Sequence, residues 1–372
     1  MKDPRIAKMA KTIVEYFVKV KPGENVLIDT SGTDFSITKE LIQAVYAAGA
    51  KPFIETRNPE VEALQLKSMS EEQMKLEAEF ALAKMKKMDV YIGVRGTANI
   101  HSGNIIPPDQ GEKHRHLYQY PVQMVERVEN TRWVVLRVPG DAMAQNSGMS
   151  TEEFEEFYFN VCAFDYERLH ECAKPLLKMM AQTDKVRITG RNTDLSFSIK
   201  GQPIPDIEHF ISNLPEGEVF VGPLKYSANG YITYNLPSKA NSTEPEEIFL
   251  RFEKGKIVEI KGRNQKDLER TFNTDEGARY LGEFAIGIHP KITKPIMETL
   301  FDEKMTGSLH VTPGNCYKSS DNGNYSAIHM DMIMIQTPDF GGGDIWFDDT
   351  LIRRDGLFVP EELQGLNPEH WL

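Results

Sequence analysis

The chain has 372 residues, 26% of them charged and 40% hydrophobic, a formal charge of −12 and three cysteines. Its length exceeds what one hydrophobic core usually fills, so two domains are expected, and an acidic chain without a basic stripe lacks the Lys/Arg surface that nucleic-acid binding needs. No apolar run approaches the roughly eighteen residues of a membrane span, Met1 to Arg5 lead into an amphipathic helix rather than a signal core, and Cys162, Cys172 and Cys316 give neither a disulfide framework nor a metal-knot spacing; a cytoplasmic protein is expected.

Residues 4 to 19 carry Ile6, Met9, Ala10, Ile13, Val14, Phe17 and Val18 at helical spacing, ended by Pro22 and Gly23. A short strand follows at 25–29, a helix at 36–48 with Gly49 in the C-cap position, a strand at 51–57, a long helix at 70–88 and a strand at 89–94. A fifth strand is expected within 132–139. Strands alternating with helices imply a parallel sheet covered on both faces, a doubly wound α/β domain. Residues 95–110 read as a loop at the carboxyl edge of that sheet, where such folds place ligand contacts. His114 and His116 offer a His-x-His pair that a helix would turn apart.

Ser150 with Glu153 makes a capping box opening a helix through Val161, and a second helix spans 166–182. After Asp184 the character changes. Strands are expected at 186–190, 194–199, 218–221 and 248–253, a hairpin at Lys254-Gly255 leading into 257–260, and one helix at 266–273. The expected division is an α/β domain over 1–182 and an α+β, mainly antiparallel, metal-binding catalytic domain over 183–372.

Candidate chemistry concentrates between Gly282 and Asp331. His329 and Asp331, two apart, share one face of an extended strand and make half of a metal site. Glu283 lies among apolar and small residues, where a carboxylate needs a metal, a cation or a raised pKa. His310 precedes the turn at Pro313-Gly314, and Glu218 opens an apolar strand. The plain readings are a hydrogen-bonded histidine for His310 and a solvated strand edge for Glu218. His289 reads as a turn residue. Glu218, Glu283, His310, His329 and Asp331 exceed what one open metal site requires, and two divalent ions sharing carboxylates would use them all, an arrangement suited to metal-assisted hydrolysis. Mixed carboxylate and imidazole ligands favour Zn, Co or Mn over Ca. Tyr317 offers a phenol to stabilise an oxyanion or complete a coordination shell. Glu303 offers a general base or a carboxylate that orients a ligand; for both, a plain surface role stays open.

Several segments together resemble a known family, the metallo-aminopeptidases of the aminopeptidase T and aminopeptidase S type: Lys21 to Ile28, Asn213 to Phe220, Leu281 to Gly287, Leu300 to Lys304, Ser326 to Asp331, and a closing stretch from Gly341 to Gly356 similar to the family's terminal hairpin. The resemblance implies metal ligands at Glu218, Glu283, His310, His329 and Asp331 with Tyr317 beside them; among the carboxylates, the one expected here to bridge the ions is Glu283. It also implies a homodimer whose active sites face an enclosed space, and release of N-terminal residues from short peptides. The chain is shorter than the family pattern, with altered spacing on both sides of His310. A second reading is a mononuclear iron ring-cleaving dioxygenase of related fold, with His310, His329 and Asp331 as its facial triad. Retention of Glu218 and Glu283 favours two metals, and a non-catalytic binding protein is disfavoured because no ligand is missing.

Overall fold

The computed structural model describes residues 3–32, 34–96, 99, 101–206, 212–237 and 246–371. Contacts gather the chain into two compact units, one of Met1–Gln145, Met149–Phe164 and Ile211–Leu214, the other of Asn146–Gly148, Asp165–Phe210 and Pro215–Leu372.

In the first unit the alternating strands and helices build the expected parallel sheet. Asn25–Ser31 pairs with Lys51–Arg57 on one side and Val90–Arg95 on the other, followed by Arg132–Arg137 and the two-residue strand Asn213–Leu214. Consecutive buried positions along Asn25–Ser31 and Val90–Arg95 show that both faces are covered, as a parallel sheet requires. The expected helices form at Pro4–Thr12, Ser36–Ala47 and Glu71–Met85, and the Ser150–Glu153 capping box is present.

Two segments differ from expectation. Asn58 accepts from the amides of Glu60 and Val61 and, with Pro59 in the first turn, starts a helix over Pro59–Leu66. The expected loop at 95–110 contains a short 3-10 turn, Ser102–Ile105, and the start of the helix Pro108–His114, which continues in a wider coil through Arg127; Thr97, Ala98 and Ile100 lie outside the described residues. His114 and His116 are therefore helical, and His114 instead stacks on Tyr118 one turn on, ring centres 4.9 Å apart.

The second unit holds two antiparallel sheets. The larger has eight strands, in spatial order Lys256–Lys261, Ile248–Glu253, Asn229–Tyr234, Thr193–Ser198, Lys185–Gly190, Gly343–Phe347, Thr350–Arg354 and Leu357–Phe358. The smaller runs Ile333–Ile335, Ser308–Pro313, Leu281–Gly287 and Glu218–Val221. The hairpin at Lys254-Gly255 and the terminal hairpin both form. The two sheets meet where the Phe284 ring packs edge-on against Phe197 at 5.1 Å and the Tyr234 hydroxyl donates to the Val311 carbonyl at 3.0 Å.

The helix Tyr166–Gln182, expected with the first domain, packs in the second unit. Its buried face explains this: His170 Nε2 pairs with Glu216 Oε2 at 2.8 Å, and the Tyr166 ring meets His289 at 5.8 Å. The change of composition at 184 marks where helix gives way to strand, which is a different place from where one unit gives way to the next.

Candidate metal centre

Register in the four-stranded sheet decides which side chains meet. Ala285 lies opposite His310 and Phe220, Glu283 opposite Thr312, and Gly287 opposite Glu218. Because side chains alternate along a strand, Glu218, Glu283 and His310 share one face, while Phe284, Ile286, Leu309, Val311 and Val219 share the other, turned to the larger sheet. Small residues at Ala285 and Gly287 leave room on the polar face. A Cβ at Gly287 would overlap the Met305 carbonyl and the Ser308 hydroxyl, so glycine lets the segment carrying Glu303 and Lys304 approach.

His329 and Asp331 are not in a regular strand. His329 makes an isolated bridge to Gly314, and the strand begins only at Ile333. The extended backbone nevertheless brings the two side chains together, His329 Nε2 lying 3.2 Å from Asp331 Oδ1. A bulge at Leu281/Glu283 supports this geometry. Its Gly282 packs so closely on the Asn315 carbonyl that any Cβ would overlap it. That carbonyl accepts from His329 Nδ1 at 2.8 Å, which leaves Nε2 as the nitrogen that could ligate a cation. The Thr312 hydroxyl holds Asp331 by donating to Oδ1 at 2.7 Å.

All five expected ligands are gathered. Ligand atoms of Glu218, Glu283 and His310 lie within 4.8 Å of one another, and so do those of Glu283, His329 and Asp331. A third such group is Glu303, His310 and Asp331. Glu283 thus belongs to two of the groups. The combination of His310, His329 and Asp331 that a facial triad needs is not among the groups found in the described residues. His289 is buried beside Tyr166 and outside all three groups.

Within the first group His310 Nε2 is 2.9 Å from Glu283 Oε1 and 3.5 Å from Glu218 Oε2. Glu218 Oε2 is buried without a hydrogen-bond partner. Tyr317 stands alongside, its ring 4.9 Å from the His329 imidazole and 6.1 Å from Phe220.

Sequence reading assigned no role to Lys304. Its buried ammonium donates to Glu218 and, at 2.6 Å, to Glu303 Oε1. A lysine following Asp302-Glu303 looks like a solvated charge; only the apolar Leu300-Phe301 and Met305 on either side of that charged run hinted otherwise. Asn315 acts through a backbone carbonyl and could not have been read from its side chain.

Electrostatics show what the cluster lacks. Burial alone would lower the His310 pKa, but its hydrogen bond to Glu283 and the charges of Glu218 and Asp331 outweigh that and raise it to about 9. His329 follows the same pattern: burial opposes the charge, Asp331 more than restores it, and the value rises to about 10. Burial of Asp331 is in turn overcome by His329, which holds its carboxyl well below the usual range. Burial lifts Glu218 to about 7 against the pull of Lys304 and His310. Desolvation, then the nearby carboxylates, keep the Tyr317 phenol protonated far above its usual range. Protons on the imidazoles therefore occupy the place of missing positive charge. The oxygen and nitrogen donors, without cysteine, and the orphaned Glu218 oxygen fit a divalent cation.

Comparisons with known proteins agree. The profile of the thermophilic metalloprotease family (M29) matches residues 2–346. Aminopeptidase PepS of Streptococcus thermophilus is 25% identical over 413 aligned positions, covering 95% of this chain and 96% of its own. That alignment is longer than the chain, so the relative carries insertions. Aminopeptidase T of Thermus thermophilus is 33% identical over 139 residues, 33% of this chain and 34% of that protein. Wild-type AmpT from Thermus thermophilus superposes with a TM-score of 0.79 at 20% identity, over 96% of this chain and 99% of that one. A 2,5-dihydroxypyridine dioxygenase from Pseudomonas putida follows at 0.61 and 16%, covering 96% and 98%. At these identities the structural matches speak for the fold alone.

Proposed function

The chain belongs to the M29 family of thermophilic metalloproteases, and from that premise we propose that it is a metallo-aminopeptidase releasing the first residue of short peptides at a pair of divalent ions. Metal-dependent hydrolysis follows from the family, and the aminopeptidase names of the relatives supply the substrate class. The observation that carries the two-ion reading is the sharing of Glu283 between two groups of ligand atoms. Glu218, Glu283 and His310 would hold one ion, and Glu283, His329 and Asp331 the other, with Glu283 as bridge; Zn, Co and Mn suit these ligands. When bound, such ions polarise a carbonyl and make water a better nucleophile near neutral pH.

The chain's own groups do the rest. Asn315 and Thr312 fix the directions of His329 and Asp331 before any ligand arrives, which lowers the ordering cost of the site. Glu303, with Oε1 held by Lys304, serves as the general base that accepts a proton from the attacking water. Tyr317 keeps its proton and donates to the oxygen that becomes negative as the peptide carbon turns tetrahedral. We also propose a cytoplasmic homodimer, as the sequence resemblance implies; among the described residues no helix is long and apolar enough to cross a membrane.

The test is hydrolysis of leucyl and aromatic aminoacyl amides before and after chelation, with metal counted per chain. About two ions and chelator-sensitive release, restored by Co or Zn, are expected. One iron per chain without amide hydrolysis would contradict the reading.

A further inference from the structure

The two ligand groups that share Glu283 differ in access and in charge. His329 and Asp331 are partly open, their side chains 22% and 26% exposed. On the other side of Glu283, His310 is 1% exposed and Glu218 17%. Lys304 lies against this deeper group, its side chain 3% exposed and its ammonium bound to one oxygen of Glu218. The other Glu218 oxygen, buried and without a hydrogen-bond partner, faces His310 Nε2 at 3.5 Å. Any cation bound by that oxygen would have a fixed positive charge across the same carboxylate. In so dry a setting, water screens that repulsion poorly. The open group has no equivalent: among the described residues its hydrogen-bond and ion-pair partners are Thr312, Asn315 and His310, none of them a lysine or arginine.

We propose that Lys304 makes the two metal sites unequal, so that the site at His329 and Asp331 fills first and tightly, and the site at Glu218 and His310 fills second and weakly. This rests on the two-ion reading above. Removing the ammonium acts in one direction twice over. It takes away the repelling charge, and it leaves Glu218 and Glu303 as uncompensated carboxylates that attract a cation. The second ion then becomes the exchangeable one in the intact protein, and its occupancy follows the available metal.

The experiment is a Co2+ titration of the chelator-stripped full-length chain, followed by calorimetry and visible absorption. The unaltered chain should show two steps, the second at least about tenfold weaker. Lys304→Met should narrow that ratio by about tenfold or more through the second step alone, whereas Lys304→Arg, which keeps the charge, should retain it. Equal steps in the unaltered chain, or an unchanged or wider ratio in Lys304→Met, would overturn the proposal. A single equivalent in the unaltered chain would instead overturn the two-ion reading. Should Lys304→Met lose its fold by circular dichroism, Glu218→Gln decides the order of filling: the tight step should survive and the weak one vanish, and loss of the tight step with the weak one retained would contradict it.

Discussion

Each unit buries a cluster of charged side chains, and the two clusters are built to opposite rules. In the first unit Asp29 sits 1% exposed within the parallel strand Asn25–Ser31. Arg57 and Arg95 both bond its carboxylate, and the Tyr91 hydroxyl adds a 2.5 Å bond. Its carboxylate is matched on every side, and burial, which would raise its pKa, is outweighed by Arg95 and Arg57. In the second unit Glu218, Glu283, Glu303 and Asp331 share one lysine and two histidines that must hold protons to help. A buried cluster that closes on itself is part of the scaffold. One left short of positive charge is one that a cation would complete, the role proposed for this cluster.

Breaking each cluster should therefore fail in a different way. The largest effect is expected from Glu283→Gln or His329→Ala: activity falls by roughly 10^4-fold or more, the scale of removing a group that acts with others as a unit, while circular dichroism shows the fold retained. Full activity in either purified variant would sink the site assignment. Asp29→Ala should do the converse. It strands two guanidiniums and costs about 3–5 kcal/mol of stability, measured by denaturant unfolding, while metal content per folded chain is unchanged.

Gly282→Ala probes the support of the second cluster rather than its ligands. The added methyl collides with the Asn315 carbonyl, which costs about 1–3 kcal/mol and, by turning His329, weakens metal binding by about 10–100-fold. Competition with a chelating dye would read this. If affinity is untouched, the Asn315 contact does not orient the histidine.

The smallest effect, and the sharpest contrast, is in pH. Without metal, His310 and His329 have folded pKa values of about 9 and about 10, above the roughly 6.5 of an unfolded imidazole. Their contribution is complete below the unfolded value and is lost as pH rises through the folded ones, so the stripped protein should weaken in alkali. Asp29, with a lowered pKa, contributes above the ordinary carboxylate range and loses that contribution only in acid. Loading metal should release protons and reverse the alkaline trend, since the ligands bind deprotonated. Unfolding midpoints of stripped and loaded protein across pH 6 to 10 would show it; parallel curves would contradict it.

Much of this was legible from residue order alone. The parallel sheet could be read because its central strands, Asn25–Ser31 and Val90–Arg95, hold continuous apolar runs separated by helical periodicity, and Glu283 drew attention because a carboxylate among Leu281, Phe284 and Ile286 demands a partner. His329 and Asp331 met despite the missing regular strand, since any extended chain puts alternate residues on one side. What was hidden depends on atoms that a sequence does not display. The Asn315 carbonyl is common to every residue, the close approach at Gly282 is set by a bulge, and the burial of Lys304 depends on Gly287 admitting a distant segment. The helix Tyr166–Gln182 was assigned by its neighbours in sequence, whereas Glu216 and His289, far along the chain, determine where it packs.

The central claim is that one carboxylate serves two metal sites. Elemental analysis of the unaltered chain and of Glu283→Gln, each dialysed side by side against the same Zn2+-containing buffer and corrected for the metal in that buffer, tests it most directly. Close to two ions per chain in the first and well below one in the second is the expected result. Two ions retained in Glu283→Gln, or a loss of only one, would show that the sites do not share Glu283.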